Sequence, residues 1–185
     1  ERFLADGRRI LLELEEAEEA AVGIHAAPRG ELRITAPVLF GRIYVTPILG
    51  DYLDCYPMVN IQTLFVDRVV SLMDEGLEIA IRIGELPDSS LTAIRVGLVR
   101  RVMFASPEYI KTNGLPKRPE DIANHQLIKS TSVETSQEWA FQENGVPLSV
   151  RAEPRLRMNT NDAVIELALR GWGISRLMSY QVAPY

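Results

Sequence analysis

The chain has 185 residues, 46% hydrophobic and 24% charged, with a net charge of −5 at pH 7. This mixture supports a packed core and excludes intrinsic disorder. Charges break the apolar runs well short of the roughly 18 residues that a membrane-spanning helix requires, and no Lys/Arg cluster interleaves with aromatics as nucleic-acid binding demands.

Phe3 to about Ala21 has the pattern of a helix. Leu4, Leu11, Leu14 and Ala21 form one narrow apolar stripe, and Glu13, Glu15, Glu16, Glu18 and Glu19 cover much of the rest, which favours pairing with a second helix. Gly23, Pro28 and Gly30 break the chain before the next element. Glu31 to Ala36 alternates as a strand and runs straight into a helix, with Pro37 expected at its first position. Ligands of open α/β sheets settle at the carboxyl ends of strands, so Thr35 to Val38 is either a site wall or an ordinary buried junction. Val45, Ile48, Leu49, Tyr52, Leu53 and Tyr56 then mark an amphipathic helix ended by Pro57, with Pro47 imposing an early kink or a late start. Cys55 lies in this helix, where a buried, inert thiol is expected. As the one cysteine, it excludes an internal disulfide and suits a reducing compartment.

Val59 to Val66 alternates as a strand, and Val69, Leu72 and Met73 indicate a short helix closed by Gly76. Glu78 to Gly84 reads as a third strand. This βαβαβ order implies a parallel sheet with right-handed crossovers. A β-rich stretch follows from Leu91 to Ala105. Ser106-Pro107 opens a helix, Pro119 to Ile122 a shorter one, and Gln126 to Thr131 a strand. Trp139 to Val150 forms a hairpin about Glu143-Asn144-Gly145. Arg155 to Met158 is extended, Thr160 or Asn161 caps a helix over 162–169 that Gly171 stops, and residues 173–182 make a last strand or turn. Two α/β units joined by extended segments place a cleft between them.

In this order and spacing, several segments resemble the effector-binding domain of LysR-type transcriptional regulators. They are Leu32-Arg33-Ile34-Thr35-Ala36-Pro37 with Phe40-Gly41, Tyr52-Leu53 with Tyr56-Pro57, and Val69-Val70, Leu72-Met73 and Gly76 leading to Glu78-Ile79-Ala80-Ile81-Arg82-Ile83-Gly84. Leu86 to Leu91, Ala105-Ser106-Pro107-Glu108-Tyr109, Asn124-His125 and Gly171-Trp172-Gly173-Ile174 complete the pattern. The resemblance implies two Rossmann-like lobes of the type 2 periplasmic-binding-protein fold, joined by extended hinges. Residues 1–29 would be a linker and dimerisation helix with its connector. Residues 30–105 would form lobe I, completed by about 175–185 and by residues past 185, and 106–174 would form lobe II. It also implies a homodimer or homotetramer in the cytoplasm, bound to DNA through a winged helix-turn-helix that would precede this chain. A small-molecule effector would contact Thr35, Ala36, Pro37, Val38, Ile83, Gly84, Ser130, Thr131, Thr160 and Asn161. Arg82 could serve as its counter-ion or could pair with Glu78 or Asp88. The helix starts around the cleft suit an anionic effector.

Catalytic chemistry has no foothold in the sequence. His25 and His125 lie far apart with no Cys or acidic partner at metal-ligand spacing, and His125, just before a strand, is expected to be a satisfied structural side chain. No GxGxxG, Walker, GxSxG or HExxH motif occurs, and no serine has a histidine placed beside it. The expectation is a binding domain without cofactor or metal. The first residues carry neither Met nor a basic-then-apolar leader, so the chain reads as an internal piece. The rival reading, a periplasmic solute-binding protein of a transport system, would require a leader upstream.

Overall fold

The computed structural model describes residues 27–86, 88–132, 138–143 and 145–185. The predicted linker helix with Leu4, Leu11, Leu14 and Ala21 lies outside them, as does His25. The first half runs β1 (Gly30–Ala36), helix α1, β2 (Val59–Phe65), α2 (Leu72–Glu75) and β3 (Ile79–Ala80). The second runs β4 (Arg101–Phe104), α3 (Pro107–Asn113), a 3-10 turn (Pro119–Asn124), β5 (Ile128–Ser130), β6 (Glu138–Glu143) and β7 (Val146–Arg151). It closes with β8 (Leu156–Met158), α4 (Asn161–Leu169), β9 (Ser175–Met178) and α5 (Ser179–Val182).

β1 is the centre of the predicted parallel sheet, ordered β2-β1-β3, with Ile34 opposite Thr63 on one side and Ile79 on the other. Its burial deepens along the strand until Thr35 and Ala36 are fully enclosed. β3 is shorter than the predicted Glu78–Gly84. Glu78 and Ile81 still donate to the Arg33 and Thr35 carbonyls, but Arg82 to Gly84 pair with no described strand.

α1 is continuous through Val38–Phe40, a π turn at Gly41–Val45, and Thr46–Cys55. Pro37 precedes it as the N-cap (φ −58°, ψ 143°) rather than taking the first helical position. The extended ψ lets its carbonyl accept the Gly41 N–H at 2.7 Å. The wide turn is the kink anticipated at Pro47, whose ring nitrogen cannot donate to the Ile43 carbonyl. Just before it, the Thr46 N–H and hydroxyl both donate to the Gly41 carbonyl. Gly41 is required by close approach, since a Cβ there would lie 2.6 Å from the Phe65 ring. The amphipathic stripe is only partly used. Val45 is buried, but Ile48 is 64% exposed, Leu53 is exposed, and Cys55, expected inside, is exposed too. This part of α1 packs chiefly on β2, which covers one side of the stripe, and Tyr52 packs on Tyr56.

The β-rich stretch 91–105 yields one strand, β4, paired antiparallel with β9. Leu91, Ile94, Val96 and Leu98 are exposed and pair with no described strand. β5 pairs in parallel with β8, Leu127 bridges Ile174, and β6–β7 is the predicted hairpin. Gly173 permits that bridge, because a Cβ would meet the Gln126 carbonyl oxygen at 2.5 Å. The predicted last strand or turn divides into β9 and α5.

Alternation along β9 separates two cores. Ile174 joins Tyr109, Ile122, Leu127, Trp139, Val150 and Ala152 beneath the hairpin. Leu177 faces the other way, with Ile128, Val164, Ile165, Ala168 and Tyr180. Leu39 enters this second cluster from α1, and Phe40, Ile43 and Ile83 pack around it. The two halves of the chain therefore share one apolar seam.

Gly41→Ala and Gly173→Ala are each expected to lower stability by about 1–3 kcal/mol through overpacking, read from urea midpoints. Phe65→Leu should recover part of the first loss. The second has no side-chain remedy because the obstruction is backbone.

Candidate functional site

The carboxyl ends of β1, β2 and β3 converge where α1 begins. Thr35, fully buried, donates its hydroxyl to the Leu64 carbonyl at 2.7 Å and accepts from Arg82 Nη2 at 3.3 Å. Arg82 also reaches the Val66 carbonyl at 3.5 Å. Its guanidinium therefore turns inward, and among the described residues it meets neither Glu78 nor Asp88. Burial, and then the nearby Arg68, hold its pKa below the ordinary arginine value. Asp67, just past β2, accepts the Val38 N–H at 3.0 Å. The partial positive charge at the start of α1 thus already faces a carboxylate of the same chain.

The second cluster lies where β5 ends against the start of α4. Ser130 Oγ donates to Asn161 Oδ1 at 2.6 Å, Ser132 Oγ reaches the same oxygen at 3.3 Å, and the two hydroxyls stand 2.9 Å apart. Thr131 donates its N–H and hydroxyl to the Met158 carbonyl. Thr160 is exposed, and its side chain caps no backbone N–H of α4. Helices α1 and α4 approach each other near the clusters. Arg42, one turn into α1, stands 4.0 Å from Asp162, which follows Asn161.

The predicted contacts thus separate into groups. Pro37 and Val38 lie at the start of α1, and Ser130 and Asn161 where β5 meets α4. Thr35 and Ala36 are enclosed, and Ile83 is spent on the seam. Gly84 is exposed with φ 129°, and Thr131 is tied to β8. Asp67 and Ser132 escaped sequence reasoning. Both were recoverable, Asp67 as an acid at the end of a strand neighbouring β1, Ser132 by alternation from Ser130. His125 meets expectation, with Nδ1 3.2 Å from the Tyr109 hydroxyl, which also accepts the Gln126 N–H.

Two open depressions lie elsewhere. One of about 450 Å³ has Arg101, Met103, Phe141 and Arg176 in its walls, and one of about 330 Å³ includes Pro28, Gly30, Leu32 and Tyr52. Neither contains a predicted contact. In the larger, Arg176 is engaged with the Ala140 carbonyl and the Trp139 and Phe141 rings. Shape favours these depressions, and convergent polar groups favour the α1–α4 junction. Among the described residues no three His, Cys, Asp or Glu side chains could hold a metal ion, and no helix is long and apolar enough to cross a membrane.

Residues 25–185 match the family model of the LysR substrate binding domain. The chain is 32% identical over 178 residues to the HTH-type transcriptional regulator PtxR of Pseudomonas aeruginosa, covering 95% of the chain and 56% of that protein. It is 31% identical over 182 residues to an HTH-type transcriptional regulator of Xanthomonas campestris, covering 96% and 53%. The chain thus spans little more than half the length of these relatives. Among solved structures, CrgA, a LysR-type transcriptional regulator from Neisseria meningitidis, superposes with a TM-score of 0.76 at 26% identity, covering 97% of this chain and 61% of CrgA.

Thr35→Val should cost about 1–3 kcal/mol in urea unfolding, because the Leu64 carbonyl and Arg82 lose their partner, whereas Thr35→Ser should cost less. Tyr180 is pushed up to about 12, by burial first and then by Asp67, against an ordinary 10.0. The folded state disfavours the tyrosinate, so this contribution is complete below pH 10 and is lost as pH rises towards 12. Tyr180→Phe should flatten that alkaline loss in thermal melts taken between pH 9 and about 12.

Proposed function

The chain belongs to the LysR substrate-binding-domain family, and from that premise we propose that it is the ligand-sensing part of a transcriptional regulator. The observation that carries the reading is a pair of polar clusters, Val38–Asp67 at the start of α1 and Ser130–Ser132–Asn161 where β5 meets α4, on two helices that the Arg42–Asp162 contact links. An effector held there touches both halves of the chain at once. It can then bias one arrangement of the halves over another by its differential affinity for them.

In this reading residues 30–105 with 175–185 form one lobe, and 106–174 the other. Residues 1–29 connect them to a DNA-binding helix-turn-helix and pair subunits into a homodimer or homotetramer in the cytoplasm. The role is binding without catalysis. The HTH-type relatives give the transport alternative no support.

A thermal-shift screen of metabolites with this chain should yield stabilising hits that Asn161→Ala weakens at least tenfold. In the full-length regulator, a saturating hit should alter the DNase footprint on its operator. Hits untouched by Asn161→Ala together with an unchanged footprint would reject the proposal.

A further inference from the structure

Ser175 is fully enclosed, and among the described residues its Oγ is the one buried side-chain oxygen or nitrogen without a hydrogen-bond partner. Strand register fixes its surroundings. Alternation along β9 puts Ser175 on the same face as Leu177, which belongs to the seam cluster. On β4 the residue opposite is Phe104, which packs against that cluster. On β5 the Leu127–Ile174 bridge, with the Ile128 N–H donating to the Ile174 carbonyl at 2.9 Å, sets Ile128 beside Ser175. Phe104, Ile128 and Leu177 are hydrocarbon and offer a hydroxyl no acceptor. Other buried hydroxyls are provided for: Ser106 Oγ accepts the Tyr109 N–H, and Thr35 bonds to the Leu64 carbonyl and to Arg82.

The cluster joins the two halves by burying apolar area, with Leu39 entering from α1. A hydroxyl within it works in the opposite direction, because it gives up its hydration and receives no bond in return. Alanine has nearly the volume of serine and would fill the same space without that penalty. The penalty exists only while the cluster is closed. Once loosening lets water reach Ser175, the hydroxyl is solvated and the cost is gone. The closed seam is therefore held less tightly than its apolar contacts alone would hold it.

We propose that Ser175 is the release point of the seam: its unpartnered hydroxyl lowers the cost of loosening the packing between the halves and keeps their arrangement adjustable. A ligand can shift an equilibrium only by its differential affinity for the two states, so a seam that opens more readily responds to a weaker ligand. That regulatory use rests on the ligand-sensing role proposed above; the weakening of the seam does not.

The test is native-state hydrogen exchange by NMR on the chain and on Ser175→Ala, with no ligand added. Gly41 of α1, Ile128 of β5 and Val164 of α4 report on the seam, each through an amide bonded to a backbone carbonyl. The β6–β7 hairpin, which lies over the separate core, is the reference. In Ser175→Ala the seam amides should exchange more slowly by roughly fivefold to a hundredfold, the range set by desolvating one hydroxyl, while the hairpin amides change by less than about twofold. Unchanged or faster exchange at the seam would mean that the hydroxyl has a partner, such as a bound water, and would overturn the proposal. Slowing of equal size in the hairpin would mean a gain in overall stability only, and would overturn it as well. Neither result bears on the ligand-sensing reading, which stands or falls on its own screen.

Discussion

Leu39 is the side chain through which the two halves of the molecule become one. It leaves the first turn of α1 and is buried among Ile128 of β5, Val164, Ile165 and Ala168 of α4, and Leu177 and Tyr180 of the return segment. Burying a leucine is worth about 1.5–3 kcal/mol, a sizeable part of the 5–15 kcal/mol that typically separates folded from unfolded domains. Its position matters more than its size. Because the seam begins one residue after Val38, the packing that joins the halves and the polar groups that face each other there cannot move independently. Tyr180 closes the same cluster edge-on to Phe40, with ring centroids 5.3 Å apart.

Strand and helix order was legible because it depends on local chemistry. Alternation found β1 and β2, Ser106-Pro107 marked the start of α3, and Asn144-Gly145 placed the hairpin. Errors collect where partners decide. The stretch from Leu91 carries strand residues, yet only Arg101–Phe104 finds a partner, in β9. Ile48 and Leu53 obey helical periodicity and remain exposed, since periodicity reports which face a helix could bury and says nothing of what lies beneath it. Cys55 failed for the same reason. Family pattern named most junction residues, but it could not say that Thr35 has both hydroxyl roles filled from within.

That filling alters what the family resemblance means for this chain. A strand–helix junction is attractive to ligands for its unsatisfied N–H groups and its dipole. Here the Val38 N–H is taken by Asp67, and Arg82 is drawn down onto Thr35 and the Val66 carbonyl. The arginine that looked like a counter-ion instead braces the ends of three strands. What remains accessible beside the start of α1 is the Asp67 carboxylate with the exposed Arg42 one turn on, and Asp162 stands opposite in the first turn of α4.

Preorganisation follows from this division of labour. Groups whose hydrogen bonds are satisfied inside the fold fix the ends of β1, β2 and β3, so Asp67 is held by its bond to Val38 before any ligand arrives. Across the junction, the two serines hold the Asn161 amide by its oxygen. A ligand joining these two sites adds a polar link beside an apolar seam that already exists. Any conformational bias that a ligand exerts there would come from its differential affinity for the arrangements of the two halves. A molecule too short to reach both gains from one half only and leaves the balance between arrangements where it was.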